Sequence, residues 1–488
     1  MTLKQLVIVG AGMAGTRLME EVIARDPSGS WQITVVGDEP DAPYNRILLS
    51  EVLAGKHERA DLDLLPPGGV GGERVTQILG TRVMTIHRST STVHLSDQRI
   101  LNYDALVLAT GSTPILPPLP GLYDEEDWSI HPQCFAFRTL EDCRGIMQAA
   151  SNARRAVVIG GGLLGLEAAR GLLGQGLDVE IVHMGEWLMD AQLDSEGGEV
   201  LGRTLASMGI TTYLEARARS IEVTRDGSLV GVKVADGHVL ECDLVVFAAG
   251  VRANTRLAKD CRLSVERGIV VDDRMRTDDP QILAIGDCAQ ADGKVLGLVG
   301  PAWDQAAVVA RNLTDPDGEV HYEGSRIVTR LKASGIEVAA LGETQPMPKD
   351  SNGELEVVSF SDYARGIYKK VVLRDGRVCG GILLGDAGTV GNLMLAMDRG
   401  TKVPRNRLPL LFEGLTAGSE VDASAAPDYA VLCHCNNVTH GQVRDAITSG
   451  ACQVSEIAHQ TRATTGCGTC RRSVEELIAC HDLERKPA

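Results

Sequence analysis

A pattern of apolar strand, glycine-rich turn and apolar-periodic helix occurs twice in this chain, starting at Leu6 and again at Ala156. The first glycine of such a turn permits a tight bend, the second lets backbone N–H groups approach a phosphate, and the third lets the helix pack close to the strand. Each turn therefore predicts a pyrophosphate site at a helix N-terminus. The glycines concerned are Gly10, Gly12 and Gly15 in the first copy and Gly160, Gly162 and Gly165 in the second.

Two such turns in tandem predict an α/β chain with two Rossmann-like domains, of which one binds FAD and the other NAD(P)H. Two further segments are apolar strands that end in a turn of small residues, a pattern that lets the chain run close to a bound dinucleotide. These turns are Ala109, Thr110 and Gly111 in the first domain and Gly250 in the second. A later strand delivers Asp287, which we expect to hydrogen-bond the ribityl chain of the flavin; the alternative is a simple turn aspartate.

The residues that follow the second strand of each domain bear on ribose recognition. Asp38 and Glu39 are placed to accept hydrogen bonds from a ribose diol, although a solvated turn would also carry such residues. In the second domain His183 occupies a region where NADH enzymes often carry an acidic residue and NADPH enzymes an arginine. No Lys or Arg occurs between His183 and Arg203, which favours NADH.

Glu167, just past the second glycine turn, is the candidate catalytic residue, because it is placed to lie near the nicotinamide. The alternative role is a carboxylate that compensates the dipole at the start of its helix.

Four cysteines near the C-terminus form a metal-binding pattern, since four thiolates in a cytoplasmic protein more often bind metal than form disulfides. They are Cys433, Cys435, Cys467 and Cys470. Zinc is the main alternative, but zinc sites usually space both pairs as C-x₂₋₄-C, and the first pair here is C-x-C. A [2Fe–2S] cluster also takes four cysteines. Capping boxes at Thr439 and Ser473 predict that each cysteine pair precedes a helix.

The formal net charge of −17 argues against nucleic acid or an anionic membrane as a partner. No stretch approaches twenty apolar residues, and a core strand begins almost at the N-terminus without a signal-peptide pattern. We therefore expect a cytoplasmic protein. A length of 488 residues is too great for one core and predicts several domains.

The motifs GAGMAG, LVLATGS, VVIGGGLLGLEAA, VFAAGVRAN and ILAIGDCA, in that order, resemble the pyridine-nucleotide-disulfide oxidoreductase superfamily. Together with PYNRILLS they are similar to the flavoprotein part of NAD(P)H-dependent assimilatory nitrite reductase large subunits and to NADH:rubredoxin reductases. We also assign Ala14 and Arg46, which lie in these motifs, to cofactor binding. The alternation of the segment YKKVVLRDGRVCGGILLGD and its Asp375-Gly376 turn predict a β-hairpin. The same segment resembles the small α/β domain of that family, which often forms a dimer contact. CHCNN with GCGTC resembles the [2Fe–2S] domain of bacterioferritin-associated ferredoxin (BFD).

The predicted organisation has four domains and a linker. They are an FAD-binding domain (1–135 and 255–315), an NAD(P)H-binding domain (136–254), a small α/β interface domain (320–412), a linker (413–430) and a small helical BFD-like [2Fe–2S] domain (431–488).

The resemblance implies that hydride passes from NADH to FAD and single electrons then pass through the cluster to an external acceptor. Only 18 residues follow Cys470, where the nitrite reductases continue with sirohaem and [4Fe–4S] domains. The expected acceptor is therefore a separate catalytic subunit of assimilatory nitrate or nitrite reductase. Two alternatives are a stand-alone NADH:rubredoxin or ferredoxin reductase with a sensing cluster, and a docking protein that mobilises stored iron.

Overall fold

The computed structural model describes residues 3–66, 68–124, 126–315, 318–325, 328–333, 335–412, 426–433, 438–464 and 470–485. Within these ranges the chain forms two compact units. Unit 1 comprises residues 1–46, 58–114 and 251–326, and unit 2 comprises residues 47–57, 115–250 and 327–488. None of the helices in these ranges has the length and apolar character needed to span a membrane.

Unit 1 is built on a five-stranded parallel sheet with the strand order β19-β7-β1-β2-β3, beside a small antiparallel sheet of β4, β5 and β6. The strands are β1 Lys4–Val9, β2 Trp31–Val36, β3 Val75–Ile78, β4 Val83–His87, β5 Thr92–Leu95, β6 Ile100–Asn102, β7 Ala105–Leu108, β8 Ser112–Pro114, β17 Val251–Ala253, β18 Ile269–Val271, β19 Ile282–Ala284 and β20 Ala289–Ala291. The helices are α1 Met13–Arg25, α6 Arg256–Asp260 and α7 Val299–Thr314. Strand β7 is buried throughout and β1 is buried from Leu6 to Val9, as expected when helices cover a parallel sheet.

Unit 2 begins with a second five-stranded parallel sheet, of order β12-β11-β10-β16-β9, and a three-stranded antiparallel sheet of β13, β14 and β15. The strands are β9 Cys134–Ala136, β10 Arg155–Ile159, β11 Asp178–Val182, β12 Thr211–Tyr213, β13 Ala218–Val223, β14 Leu229–Val234, β15 Val239–Glu241 and β16 Leu244–Phe247. The helices are α2 Leu49–Leu53, α3 Leu140–Ala150, α4 Leu163–Gly174 and α5 Ser195–Ser207. The two parallel sheets confirm the predicted pair of Rossmann-like folds.

The rest of unit 2 contains an antiparallel sheet of order β21-β22-β25-β24-β23, followed by short helices and a small C-terminal domain. The elements are β21 Val328–Ala333, β22 Ile336–Gly342, β23 Leu355–Asp362, β24 Ile367–Arg374, β25 Arg377–Leu384, α8 Val390–Arg399, α9 Leu408–Leu411, β26 Val431–Cys433, β27 Val438–Thr439, α10 His440–Thr448, α11 Val454–Thr461 and α12 Arg471–Arg485. The hairpin predicted at Asp375-Gly376 is confirmed, and both turn residues have positive φ, as a type I′ turn requires.

Of the two predicted capping boxes, one is confirmed and one is wrong. The Thr439 side chain accepts a hydrogen bond from the N–H of Gln442 at the start of α10. Ser473, by contrast, lies inside α12, which begins two residues earlier. Glu476, the expected second member of the box, instead pairs with Arg472 at 3.1 Å, one helical turn away.

Candidate functional site

The first glycine turn joins β1 to α1 and packs against the end of β7. Gly10 has φ +120°, and a Cβ there would overlap the carbonyl oxygen of Ala109. A Cβ at Gly15 would overlap the carbonyl oxygen of Gly10, which explains how the helix approaches the strand so closely. A Cβ at Gly12 would meet no protein atom within 4 Å. The turn therefore leaves open space at the helix N-terminus, and this space fits a pyrophosphate.

The second glycine turn repeats this geometry between β10 and α4. Gly160 also has φ +120°, and a Cβ there would overlap the carbonyl oxygen of Ala248 at the end of β16. A Cβ at Gly165 would overlap the carbonyl oxygen of Gly160, whereas one at Gly162 would meet nothing within 4 Å. The two glycine turns, residues 10–15 and 160–165, are thus equivalent, and both fit a dinucleotide. We refer to them as the two cradles. Gly250, with φ +98°, is exposed just beyond β16.

The predicted residues that follow β7 and β19 form hydrogen bonds with other segments of unit 1. The Thr110 hydroxyl donates to the carbonyl oxygen of Asn254 at 2.7 Å, and the N–H of Asn254 donates to the carbonyl oxygen of Gly111 at 2.9 Å. The hydroxyl of Ser112 donates to the partly buried Asp287 carboxylate at 2.9 Å. Sequence reasoning missed Ser112 as a partner of Asp287, because 175 residues separate the two in the chain.

The acidic pair after β2 divides into two different environments. Asp38 is exposed, whereas the Glu39 carboxylate accepts hydrogen bonds from Tyr44 at 2.7 Å and from Arg46 at 2.5 Å. The Arg46 guanidinium also lies 5.3 Å from the centre of the Tyr44 ring. The structure thus brings together two predicted residues, Glu39 and Arg46, and adds Tyr44, which sequence reasoning did not single out.

Glu167 lies on the first turns of α4 and is partly buried. Its carboxyl group forms a hydrogen bond with the side chain of Ser50, next to α2 residue Glu51. Burial raises the pKa of Glu167 to about 8, and the negative charge of Glu51 adds to this effect, whereas the hydrogen bond with Ser50 opposes it. A carboxyl group that holds its proton near neutral pH is suited to a binding or catalytic site.

His183 follows β11 directly and faces the second glycine turn. Its Nδ1 accepts a hydrogen bond from the N–H of Gly161 at 3.1 Å, which requires Nδ1 to be unprotonated. Its Nε2 lies 3.8 Å from a carboxylate oxygen of Asp190. The imidazole of His183, a predicted cofactor residue, therefore contacts the backbone of the predicted turn.

Two of the four predicted cluster ligands lie within the described residues. Cys433 ends β26 and Cys470 immediately precedes α12, and both are buried in one apolar cluster. The N–H of Thr464 donates to Cys470 Sγ at 3.2 Å. Cys435 and Cys467 lie outside the described residues. Buried sulfur beside a backbone N–H donor fits a ligand of an iron–sulfur cluster, because such hydrogen bonds stabilise thiolate.

Three family models match the chain. The pyridine nucleotide-disulphide oxidoreductase model matches residues 4–306, the rubredoxin NAD+ reductase C-terminal domain model residues 328–401, and the BFD-like [2Fe-2S] binding domain model residues 431–480.

Curated relatives match along nearly the whole chain. A nitrite reductase [NAD(P)H] of Bacillus subtilis (strain 168) is 37% identical over 480 residues, covering 97% of this chain and 57% of that protein. The assimilatory nitrate reductase electron transfer subunit of the same organism is 36% identical over 478 residues, covering 97% and 59%. The chain thus spans little more than half the length of these relatives.

Among solved structures, the covalent putidaredoxin reductase–putidaredoxin complex matches with a TM-score of 0.73 and 26% identity, covering 84% of this chain and 96% of that one. A ferredoxin reductase from Rhodopseudomonas palustris matches with a TM-score of 0.72 and 26% identity, covering 82% and 96%. The family matches imply FAD, NAD(P)H and a [2Fe–2S] cluster as cofactors, in agreement with the two cradles and the buried cysteines. The chain belongs to the pyridine nucleotide-disulphide oxidoreductase family.

Proposed function

We propose that this protein takes electrons from NADH and delivers them to a separate catalytic protein of nitrate or nitrite assimilation. The observation that carries the proposal is similarity along 97% of the chain to an assimilatory nitrate reductase electron transfer subunit. The order of the parts supports it, since two dinucleotide cradles precede a BFD-like [2Fe–2S] domain in one chain.

Bound NAD(P)H, FAD and a [2Fe–2S] cluster together supply two-electron hydride chemistry and its conversion into single-electron transfer. The residues of the chain hold and orient these groups. The turns at Gly12 and Gly162 present backbone N–H groups to the two pyrophosphates, and Asp287 orients the flavin. Glu167 is assigned to the nicotinamide site, where its carboxyl group would donate or accept a hydrogen bond. Cys433, Cys435, Cys467 and Cys470 bind the cluster.

The partner in this proposal binds through charge. A chain with a formal net charge of −17 complements a basic patch on the acceptor, and this attraction increases the rate of encounter. The assembly works in the cytoplasm, and two copies of the chain contact each other through the domain of residues 320–412. Light scattering of the purified protein, with and without salt, tests the dimer.

An anaerobic titration with NADH, followed by visible absorbance and by electron paramagnetic resonance (EPR) of frozen samples, tests the electron path. We expect the flavin absorbance to bleach and a [2Fe–2S] signal to grow within the turnover time. In the Cys470→Ser variant the flavin should bleach normally, but the protein should lose its iron and the EPR signal of the cluster. Cys452→Ser is the matched control, because Cys452 is an exposed cysteine of the same domain that is not a predicted ligand. A reconstituted cluster that NADH does not reduce would refute the electron-transfer proposal.

A second candidate is a reductase for a small iron–sulfur carrier protein. It is favoured by the match of residues 328–401 to the rubredoxin NAD+ reductase C-terminal domain and by the fold likeness to ferredoxin reductases. The Cys470→Ser variant separates the two candidates. If this variant still reduces rubredoxin or ferredoxin with NADH at the rate of the unmodified protein, the flavin serves the carrier directly and the second candidate is correct.

A further inference from the structure

The carboxylate of Asp190 folds back over the end of β11, although it lies seven residues beyond His183 in the chain. One of its oxygens is 3.8 Å from His183 Nε2, and a Cβ at Gly185 would lie 2.7 Å from the other. The end of the second strand of a Rossmann fold is where the adenosine ribose of a bound dinucleotide lies. An acidic group therefore reaches this position even though the residues that directly follow β11 do not provide one there.

The two Rossmann-like domains differ at this point. In the first domain the residue after β2 is Gly37, and a Cβ there would lie 2.7 Å from the Cβ of Ala11 in the glycine turn. In the second domain the equivalent positions hold His183 and Gly161. The larger residue of the pair is therefore on the glycine turn in the first domain and at the strand end in the second. The imidazole thus fills the space beside the turn, and its Nε2 side faces Asp190.

The segment from Met189 to Asp194 is held at both ends. The N–H of Met189 donates to the carbonyl oxygen of Gly161 at 2.9 Å, which ties the segment to the glycine turn. At the other end Asp194 caps α5, accepts a hydrogen bond from Tyr368 at 2.7 Å, and pairs with the buried Lys370. Asp190 lies between these anchors, so the fold defines the position of its backbone.

We propose that Asp190 is the specificity-determining residue for the nicotinamide dinucleotide, accepting hydrogen bonds from the ribose 2′-hydroxyl of NADH and repelling the 2′-phosphate of NADPH. His183 acts as a positioning residue, because its Nδ1 accepts the hydrogen bond from Gly161 while its Nε2 lies 3.8 Å from the Asp190 carboxylate. This inference rests on the assignment of the second glycine turn to the nicotinamide dinucleotide.

The charged groups on the neighbouring chain segment define the competing explanation. The N–H of Ala216 donates to the carbonyl oxygen of His183 at 2.9 Å, and the N–H of Glu215 donates to that of Gly185 at 3.0 Å. This segment also carries exposed arginines, and Arg217, next to Ala216, is the one nearest these two contacts in the chain and would instead attract a 2′-phosphate.

The test measures binding without hydride transfer. The flavin-loaded protein is titrated calorimetrically with ADP-ribose and with 2′-phospho-ADP-ribose, which carry the adenosine end of NADH and NADPH. We expect ADP-ribose to bind more tightly than the 2′-phosphorylated compound. Asp190→Asn should reduce the ratio of the two dissociation constants on the order of tenfold, as the Coulomb energy of a phosphate a few ångströms from a solvated carboxylate predicts. Asp236→Asn is the matched control, because Asp236 is an exposed aspartate of the same unit that also pairs with a histidine, His238. It should leave the ratio unchanged.

Three outcomes would overturn the inference. If both compounds bind and Asp190→Asn leaves the ratio of dissociation constants as it was, the second cradle is correctly assigned but Asp190 does not discriminate. If the 2′-phosphorylated compound binds more tightly and Arg217→Gln abolishes that preference, the cation governs specificity. If neither compound binds, the assignment of the second turn fails, and this inference fails with it.

Discussion

Replacing Glu167 by Gln tests whether this carboxyl group is neutral in the folded protein. Its pKa is raised from an ordinary value of 4.5 to about 8 by burial and by the negative charge of Glu51. Well below pH 4.5 the group is protonated in both the folded and the unfolded chain. Between pH 4.5 and 8 the unfolded chain releases this proton while the folded chain keeps it, so the free energy of unfolding falls as pH rises and levels off above pH 8.

The magnitude follows from the size of the shift. A rise from 4.5 to about 8 corresponds to at most about 4–5 kcal/mol. Because Glu167 is only partly buried, water screens part of this, and we expect about 2 kcal/mol. Gln keeps the hydrogen-bonding partner of Ser50 and cannot ionise. Glu167→Gln should therefore match the unmodified protein at pH 4.5 and be more stable by about 2 kcal/mol at pH 8.

Two measurements check this reasoning. Infrared difference spectra between the unmodified protein and Glu167→Gln should show the carbonyl band of a neutral carboxylic acid at pH 6.5, and its loss with pH gives the pKa directly. Calorimetric unfolding at pH 5 and 8 should show a gap in Tm that widens with pH.

The neighbours of Glu167 provide controls of opposite sign. Glu51→Gln should lower the pKa of Glu167, because it removes a repelling charge, and Ser50→Ala should raise it, because the hydrogen bond favours the ionised form. A missing carboxylic acid band at pH 6.5, or shifts of the same sign in both variants, would refute the account.

Two further predictions concern the anchors of the site. Lys370→Met leaves the buried Asp194 without its ion pair and should cost about 3–5 kcal/mol in thermal or urea unfolding, and a loss below about 1 kcal/mol would show that the pair is not structural. Gly162→Ala adds a Cβ where no protein atom lies within 4 Å, so the protein should fold normally but lose ADP-ribose affinity, whereas Gly160→Ala meets the carbonyl oxygen of Ala248 and should lower Tm as well. Equal effects of the two glycine variants on Tm would contradict the open space at Gly162.

The features that could be predicted from sequence depend on residues close together in the chain. Each glycine turn is recognised from about ten consecutive residues. The structure shows why glycine is required there, since Gly10 and Gly160 both have positive φ and both contact a neighbouring strand end. The Asp375-Gly376 hairpin and the Thr439 cap are equally local. These motifs can be recognised without knowledge of the tertiary fold, and sequence reasoning found all of them.

The contacts that sequence reasoning missed depend on the fold itself. In β24, Lys369 and Lys370 are adjacent yet both fully buried, which no pattern of alternating polarity predicts. Lys370 is satisfied by Asp194, 176 residues earlier in the chain, and Lys369 by Asp386 and the carbonyl oxygen of Leu411. A lysine can be buried only where such acceptors converge, and that convergence is a property of the packed domain.

The strand-end carboxylate shows the same limit within the proposed site. Counting residues after β11 finds His183 and no acidic residue at the expected position, and sequence reasoning could only note the lack of a nearby cation. The chain instead turns back between Gly185 and Asp194, and the turn returns Asp190 to the strand end. What a bound ribose would meet is the charge at that point in space, whichever residue carries it. Specificity in such a fold therefore follows from the path of the loop, which the spacing of the motif does not encode.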